Sequence, residues 1–288
     1  MRTLVTGGGG FVGRNVARAL RSLGHDVLAP TRQELDMTDL GKCMMYLNKH
    51  CPTAIVHTGF KGHFASQNQH QDFVDNIKMY EVLTWIDDYR PTIIIGSGAE
   101  FDRRFDIDQV DEEELYKSWP VDLYGLSKNI IAKRALGMGQ YNEDEVELSE
   151  PYLLRLFGCF GPDEPDFRFI KRSILRLKEG LPIEIEKNKK MDFFFVDDVA
   201  VVIDHVLKTR SKELCHMNLV YEQDMGHKET LADVGAKICK AMNVPINVVV
   251  KQVEKDHPYT GDGGRLRSQN LNLIGMDAGI KRMVEALA

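Results

Sequence analysis

Residues 3–13 of the chain read TLVTGGGGFVG, an apolar run from Thr3 to Thr6 that ends in a cluster of glycines. From Phe11 to Leu23 the apolar residues recur at helical spacing, and Gly24 then stands where a helix commonly ends. Asp26 to Ala29 follows as a second short, mostly apolar run. The stretch therefore predicts a strand, a tight turn, a helix and a second parallel strand, which together form a βαβ unit.

The rest of the chain continues this alternation of strand and helix. Further strands are predicted at Ala54–His57, Ile93–Ile95, Tyr152–Leu156 and Pro182–Glu186, with helical patterns around Met44, from Ile77 to Ile86, from Ile130 to Leu136 and from Phe169 to Lys178. Such alternation predicts an α/β fold built on a parallel, doubly wound sheet. Prolines at 162 and 165 mark a change of character. We therefore expect a larger domain over residues 1–160, to which part of 190–220 returns, and a smaller C-terminal α/β lobe over 161–288.

The composition is that of an ordinary globular protein, with 43% hydrophobic and 28% charged residues among 288. The net charge of -6 argues against a nucleic-acid partner, which commonly needs a basic surface. No apolar run reaches membrane-spanning length and no signal-peptide pattern opens the chain, so we expect no membrane association. The five cysteines show no CxxC spacing, and their odd number fits reduced thiols and a cytoplasmic location.

Two further features are weighed for a binding role. His57, His63 and His70 share no helical face and lack carboxylate or cysteine ligands at suitable spacing, so we expect no metal site. The acidic stretch from Asp102 to Glu114 is expected to be a solvated loop, with a lid over a ligand as the alternative.

The glycine turn predicts a dinucleotide site. Its glycines fit the spacing GxxGxxG, and Gly8 also permits GxGxxG. Between a strand and a helix, such glycines allow a tight turn and a close backbone approach, while the first helical amides face a pyrophosphate. The predicted cofactor contacts here are Gly7, Gly10, Phe11, Val12 and Gly13. The alternative is a glycine-rich turn that binds no ligand.

The identity of the dinucleotide is normally set after the second strand, where an acid binds the ribose 2'-hydroxyl or an arginine accommodates a 2'-phosphate. Here the strand ends in Ala29-Pro30-Thr31 and is followed by Arg32. Asp36 and Met37 are predicted to line the same end of the site. Arg32 favours NADP, with NAD as the alternative, since a surface arginine without a ligand would look the same.

A catalytic pair is predicted at Tyr124 and Lys128, which form the one YxxxK in the chain. The spacing puts both side chains on one face of a helix, and the ammonium is expected to lower the pKa of the phenol, so that the pair exchanges a proton with an alcohol or ketone. Ser97 follows the strand Ile93–Ile95 by one glycine and so stands at a strand's carboxyl end, where open α/β sheets bind ligands. Ser97 is predicted to donate a hydrogen bond to the substrate oxygen, with a simple turn residue as the alternative.

These landmarks resemble the extended short-chain dehydrogenase/reductase family, which comprises nucleotide-sugar epimerases, dehydratases and reductases. The similar segments are the cofactor loop Thr6 to Gly13, the triad Ser97, Tyr124 and Lys128, Arg155 to Pro162 (RLFGCFGP, similar to RxxNxYGP) and Phe193 to Ala200 (FFFVDDVA, similar to FxYVDDxA). The resemblance implies a Rossmann fold, a nicotinamide dinucleotide, a nucleotide-sugar substrate and a homodimer formed through two helices of the larger domain.

Within the family, Thr31 to Asp36 (TRQELD) is most similar to the GDP-L-fucose synthases, whose TRDEL arginine contacts the NADP phosphate. The acid pair that dehydratases place after the catalytic hydroxyl residue is Gly98-Ala99 here. Ala99 also stands where fucose synthases have an acid/base cysteine, and Arg168 aligns roughly with their histidine. The resemblance therefore implies simple carbonyl reduction rather than dehydration or double epimerisation.

The resemblance also implies residues that contact the substrate, namely Ala99, Arg168, Lys190 and Arg265. Lys190 lies beside Met191, which replaces an arginine of the family, and a solvated charge is the alternative for Arg265. We expect an NADP(H)-dependent reductase of a nucleotide-linked 4-keto-6-deoxy sugar. The alternatives are a 4-epimerase with tightly bound NAD and a non-catalytic sensor of the NADP redox state.

Overall fold

A computed structural model describes residues 1–62, 67–86, 90–137, 151–221, 228–254 and 256–288. Its strands are β1 (Arg2–Thr6), β2 (Asp26–Leu28), β3 (Ala54–His57), β4 (Thr92–Ser97), β5 (Ile107–Val110), β6 (Tyr152–Leu156), β7 (Gly158–Phe160), β8 (Ile183–Lys187), β9 (Phe193–Phe195), β10 (His216–Leu219), β11 (Val248–Gln252) and β12 (Tyr259–Gly261). Its α-helices are α1 (Phe11–Ser22), α2 (Leu40–His50), α3 (Gln69–Ile86), α4 (Leu123–Gly137), α5 (Phe169–Lys178), α6 (Val196–Thr209), α7 (Leu231–Ala241), α8 (Gly264–Ser268) and α9 (Gly275–Ala286).

The main sheet has six strands in the order β10-β6-β4-β3-β1-β2. All five pairings are parallel, so the carboxyl ends of the strands lie along one edge. Helices follow β1, β3 and β4 along the chain and connect each strand to a parallel neighbour. The predicted doubly wound Rossmann-type sheet is confirmed.

Buried side chains cover both faces of this sheet, because successive residues of a strand point to opposite faces. Leu4, Ile55 and Ile94 belong to a cluster with the apolar residues of α2, α3 and α4. Val5 and Val56 belong to a second cluster, with those of α1 and α6. Continuous apolar strands such as Ala54–His57 are therefore expected, since neither face meets water.

The first βαβ unit forms as its sequence predicts. Gly7 leaves β1 with φ +74°, a conformation that glycine adopts without a steric penalty. Gly10 then precedes α1, which has neither a side-chain cap nor an acidic residue in its first turn. The unsatisfied amides of this helix terminus therefore face the space above the sheet with their partial positive charge.

A third cluster of buried residues fills a smaller layer built from β8, β11, α5, α7 and α9. The strands β8 and β11 form a separate two-stranded parallel sheet. In contrast, β10 pairs with β6 at the edge of the main sheet, and α6 packs on α1. Residues of the C-terminal half therefore contribute to both layers, and the boundary at residue 160 stays a prediction.

The acidic stretch from Asp102 to Glu114 differs from the predicted solvated loop. Ile107–Val110 forms β5, which pairs with β12, and Ile107 and Glu112 are each only 2% exposed. The expectation of a wholly solvated loop is therefore wrong, because a strand distant in sequence supplies the backbone partners.

Candidate active site

The glycine turn forms a cradle that side chains would fill. A methyl group added at Gly13 would lie 2.3 Å from the Gly7 carbonyl oxygen and 2.4 Å from Thr58 Oγ1. One added at Gly7 would lie 2.5 Å from the Gly59 Cα. The turn therefore packs backbone against backbone between the carboxyl ends of β1 and β3, and leaves the start of α1 open to an anionic group. Phe11 and Val12, at that start, are half-buried.

A pocket of about 320 Å³ continues from this cradle toward the end of β2. Its walls include Arg32, Asp36, Met37, Thr38, Thr58 and Phe60. The side chain of Arg32 is 62% exposed, and its Nε lies 3.9 Å from a carboxylate oxygen of Asp36. The glycine cradle and this pocket together fit a dinucleotide, and the guanidinium of Arg32 lines the end of the pocket away from the cradle.

The carboxylates near Arg32 accept hydrogen bonds from residues close to them in the chain. Glu34 accepts bonds from the Thr31 amide and hydroxyl at 2.7 and 2.9 Å. Asp36 accepts bonds from the Thr38 amide and hydroxyl at 3.0 and 2.8 Å, and these bonds hold the pKa of its carboxyl below the usual value. The pocket therefore offers Arg32 as its most exposed charged group.

Ser97 ends β4 and begins a short 3₁₀ turn, Gly98–Glu100. Its hydroxyl accepts a bond from the Ala99 amide at 3.2 Å, and it lies near enough to Tyr124, in the first turn of α4, to affect the pKa of that phenol. The structure thus brings Ser97 and Tyr124 near each other at the carboxyl edge of the sheet. Their catalytic role stays a prediction.

Lys128 lies one helical turn after Tyr124 and is only 4% exposed. Its Nζ donates to the Ile95 carbonyl oxygen at 2.7 Å and lies 3.0 Å from the centre of the Phe60 ring. Burial lowers the pKa of Lys128 to about 7, and the nearby charge of Glu100 opposes that shift. The ammonium is therefore held between the cofactor pocket and the strand ends.

The expected lowering of the Tyr124 pKa is wrong for the protein alone. Burial raises the pKa of this phenol, whereas the nearby Ser97 hydroxyl opposes the rise. The charges of Arg168 and Arg103 also oppose it, and Glu100 adds to it. Tyr124 therefore remains a protonated phenol, ready to act as an acid.

Glu100 is the nearest carboxylate to Ser97 along the chain, and it is fully buried. One oxygen accepts a bond from the Ser97 amide at 2.7 Å, and the other accepts one from Arg155 Nε at 2.7 Å. Arg155 also donates to Asn218 and bonds His216, so the guanidinium is held on several sides. Sequence comparison alone did not identify this pair, which fixes the end of β4 and leaves Glu100 without access to solvent.

Tyr259 is a second phenol near the end of β4. Its oxygen would lie 2.8 Å from a methyl group added at Gly98, the residue after Ser97. The edge of its ring packs on Phe157 at 5.3 Å between centres. No sequence pattern pointed to this residue, since β12 reaches the site only through the tertiary fold.

The predicted substrate contacts separate into two groups. Arg168 lies close enough to Tyr124 to oppose the rise of its pKa, and it donates to the Cys159 carbonyl oxygen at 3.0 Å. Ala99 follows Ser97 but is only 2% exposed. Arg168 therefore belongs to the surroundings of Tyr124, whereas Ala99 is almost fully buried in the protein alone, and its contact with a substrate stays a prediction.

Lys190 and Arg265 are engaged in ion pairs. Lys190 Nζ lies 2.9 Å from an oxygen of Asp108. Arg265 pairs with Glu113 at 2.8 Å and Glu112 at 3.5 Å, and it donates to the carbonyl oxygen of residue 216, at the amino end of β10. The prediction that Arg265 contacts the substrate stays a prediction, and in the protein alone its guanidinium is engaged by these acidic partners.

His57 is fully buried at the end of β3. Its Nδ1 bonds the Thr6 hydroxyl at 2.7 Å, and burial together with the charge of Lys128 lowers its pKa to about 3. His63 lies outside the described residues. Across the described ranges, no group of three or more His, Cys, Asp or Glu side chains is placed to hold a metal ion. In the same ranges, no helix is both long and apolar enough to cross a membrane.

The fold and the site define a class: a dinucleotide-binding α/β oxidoreductase with a serine, tyrosine and lysine at the carboxyl edge of its sheet. Residues 3–219 match the model of the NAD dependent epimerase/dehydratase family, and the chain belongs to this family. The resemblance inferred from the motifs is thus confirmed, as is the expectation of an NAD(P)-dependent enzyme.

Individual relatives place the chain near reductases of nucleotide sugars. GDP-L-colitose synthase of Yersinia pseudotuberculosis is 24% identical over 242 residues, which cover 78% of each chain. GDP-L-fucose synthetase from Naegleria fowleri, solved with NADP, has a TM-score of 0.79 at 18% identity and covers 99% of this chain and 93% of its own. GDP-mannoheptose C4 reductase from Campylobacter jejuni, also solved with NADP, has a TM-score of 0.78 at 17% identity, covering 99% and 98%. At these identities the structural likenesses show the fold.

Proposed function

We propose that the protein reduces the ketone of a nucleotide-linked 4-keto-6-deoxy sugar with NADPH. One observation carries the proposal: Ser97 and Tyr124 lie near each other at the carboxyl edge of the sheet, while the nearest carboxylate along the chain, Glu100, is fully buried and held by Arg155. Reduction needs one proton donor at the carbonyl oxygen. Elimination of water or epimerisation beside the ketone needs further acid/base groups that exchange protons with carbon.

The side chains support a simple division of labour. When bound and reduced, the dinucleotide supplies a hydride to the carbonyl carbon. Ser97 donates a hydrogen bond to the carbonyl oxygen and orients it, and Tyr124 transfers its proton to that oxygen as the carbon–oxygen double bond becomes single. Lys128 provides a positive charge one turn away, which stabilises the phenolate that remains.

The preference for NADP rests on Arg32. Its exposed guanidinium lines the pocket that leads from the glycine cradle, while Glu34 is occupied by Thr31. A guanidinium suits a 2'-phosphate, whereas a free carboxylate at this place would suit a 2'-hydroxyl. Two structurally similar proteins, the fucose synthetase and the heptose reductase, were solved with NADP, which supports the same choice.

The substrate class is supported by relatives that carry out related chemistry on GDP-linked sugars by name. Arg168, next to Tyr124, is proposed to contact the sugar nucleotide, and Lys190 is proposed to do so after exchange of its partner Asp108. The family provides both reductases and epimerases, so the reaction type must be established by its products.

The test uses the purified protein with NADPH and a panel of GDP-, dTDP-, UDP- and CDP-linked 4-keto-6-deoxy sugars. We expect loss of NADPH absorbance with one nucleotide class, and a product whose C4 hydroxyl is identified by NMR. Tyr124→Phe removes the proton donor and should lower kcat by about 10²- to 10⁴-fold, with NADPH affinity retained.

Three results would contradict this function. Full turnover by Tyr124→Phe would exclude the proposed proton donor. Interconversion of two sugars without net consumption of NADPH would indicate a 4-epimerase. Tight NADPH binding with no oxidation by any keto sugar in the panel would indicate a redox sensor.

We also propose that the protein is a homodimer that associates through α3 and α4. The support is an apolar surface on α3, where Trp85 is 76% and Val74 55% exposed. Sedimentation velocity should give a dimer for the native chain and a monomer for Trp85→Glu. A monomeric native chain at micromolar concentration would contradict the proposal.

A further inference from the structure

The ammonium of Lys128 lies on the face of an aromatic ring. Its Nζ is 3.0 Å from the centre of the Phe60 ring, and it donates to the Ile95 carbonyl oxygen at 2.7 Å. An ammonium has three hydrogens to donate, and the face of an aromatic ring carries the negative part of its quadrupole. The ring and the carbonyl oxygen therefore stabilise a charge that is removed from water.

Phe60 is fixed by its surroundings. Its amide donates to the Thr58 carbonyl oxygen at 3.0 Å, and Thr58 in turn donates to the carbonyl oxygen of Thr6 through its amide and its hydroxyl. The ring packs on the imidazole of His57 at 4.6 Å between centres, with 75° between the two planes. His57 is fully buried and bonds the Thr6 hydroxyl at 2.7 Å. The ends of β1 and β3 thus hold the ring in place.

The same ring forms part of the wall of the cofactor pocket. Phe60 is half-buried and lines this pocket, whereas Lys128 is only 4% exposed and, in the described part of the chain, is not a wall residue. The ring therefore stands between the pocket and the ammonium. The side chain at position 60 decides whether water from the pocket reaches this charge.

We propose that Phe60 is a positioning residue, whose ring holds the Lys128 ammonium at the strand ends by a cation–π contact and shields it from water in the cofactor pocket. The role rests on the proposed carbonyl reduction, in which the charge of Lys128 stabilises the phenolate of Tyr124, and it deepens that function. Two opposite effects follow from one side chain. The aromatic face stabilises the ammonium, whereas the exclusion of water destabilises it.

Three substitutions separate these two effects. Phe60→Leu keeps an apolar cover but removes the aromatic face, so the pKa of Lys128 should fall by about one pH unit. Phe60→Ala removes the cover and lets water solvate the ammonium, so this pKa should rise from about 7 toward its ordinary value of 10.5. Phe60→Tyr keeps the ring face and should keep the native pKa.

The first readout is NMR of the protein without substrate, with lysine labelled at its ε-carbon. Lys128→Arg identifies the signal of Lys128. The ring current of an aromatic face shifts a methylene group above it upfield. The ε-methylene signal should therefore move downfield in Phe60→Leu and Phe60→Ala and stay in place in Phe60→Tyr, and titration of the same signal gives the pKa.

The second readout is the pH profile of kcat/KM for the keto sugar at saturating NADPH. Its alkaline limb should move to lower pH in Phe60→Leu and to higher pH in Phe60→Ala, in step with the pKa of Lys128. The titratable groups near this lysine are His57, whose pKa of about 3 keeps it neutral, Glu100 after β4, and Tyr124 one turn earlier on α4. The variants leave these groups unchanged, so a shift of the limb reports the ring.

Trp119→Leu is the matched control. The Trp119 ring is 59% exposed and lies 3.4 Å from Nζ of Lys133, a second lysine of α4. Its loss removes the same kind of contact at another place, so the Lys128 signal and the pH profile should stay native. Circular dichroism identifies any variant that fails to fold.

A ring that only fills space would give a different pattern. If Phe60→Leu leaves the ε-methylene signal and the pKa of Lys128 at their native values, or if Phe60→Leu and Phe60→Ala shift this pKa in the same direction, the proposal is overturned. If no keto sugar is reduced but Lys128 responds as expected, the proposed substrate is wrong and the role of Phe60 stands. If sugars are reduced while Lys128 stays native in Phe60→Leu, the role of Phe60 is wrong and the proposed function stands.

Discussion

Replacement of Glu100 by glutamine tests whether this carboxylate is structural, as the geometry indicates, or an acid/base group three residues after Ser97. Glu100→Gln keeps the shape and one acceptor oxygen but removes the charge. The carboxylate is fully buried, with one oxygen 2.7 Å from the Ser97 amide and the other 2.7 Å from Arg155 Nε. An amide cannot accept at both places, since one of its ends is a donor.

The size of the effect follows from what remains around Arg155. Its side chain is 0% exposed, and its other polar partners are Asn218 and His216. Burial and the charge of Arg155 lower the pKa of His216 to about 2, so the imidazole is neutral, as is the amide of Asn218. Without Glu100 the guanidinium loses the one carboxylate that bonds it directly, and Glu112 is the buried acid that remains in its neighbourhood. Breaking such a pair costs about 3–5 kcal/mol, a large part of the roughly 5–15 kcal/mol that stabilises a folded domain.

The assay is urea unfolding of Glu100→Gln and the native chain, followed by circular dichroism. Glu81→Gln is the matched control, because Glu81 lies in an exposed pair, 3.8 Å from Arg134, and its loss should change the free energy of unfolding by less than about 0.5 kcal/mol. Below the unfolding transition, kcat of Glu100→Gln should stay within about tenfold of the native value. A loss of less than about 1 kcal/mol with a fall in kcat beyond about 10³-fold would refute the reasoning and identify Glu100 as a proton carrier.

The remaining predictions concern the cofactor and pH. Gly13→Ala places a methyl group 2.3 Å from the Gly7 oxygen and should weaken NADPH binding more than about 100-fold, as measured by fluorescence titration. Gly137→Ala is the control and should leave the affinity unchanged, because a methyl group there meets no atom within 4 Å. Equal affinities of the two variants would contradict the role of the glycine cradle in binding NADPH. Arg32→Ala should weaken the binding of NADPH about 10- to 100-fold, as the loss of one charged contact predicts, and leave the affinity for NADH unchanged. An equal loss of affinity for both cofactors would show that Arg32 does not contact the 2'-phosphate. Because the Lys128 cation has a pKa of about 7, kcat/KM should fall as pH rises above that value, and Lys128→Arg should move this limb upward; a flat profile would speak against the need for the cation.

Local patterns in the sequence predicted five strands of the main sheet, β1, β2, β3, β4 and β6, but not its edge strand β10. The glycine turn, apolar runs such as Ala54–His57 and the helical spacing after Phe11 are features of each element's own residues. The confirmed helix α5 matches its predicted span, Phe169–Lys178, for the same reason. Such patterns do not predict short strands whose partners are distant in the chain. An example is β5, which lies in an acidic stretch and pairs with β12, about 150 residues later.

The sequence by itself also predicted the groups proposed to react, since Tyr124 and Lys128 share a helix face and Ser97 is predicted to stand at a strand end. Only the tertiary structure decided their environment. It buries Lys128 and so lowers its pKa, pairs Glu100 with Arg155, engages Arg265 with acids and brings the phenol of Tyr259 beside Gly98. Burial, charge pairing and hydrogen-bond direction depend on residues that are remote along the chain, and only folding brings those residues together.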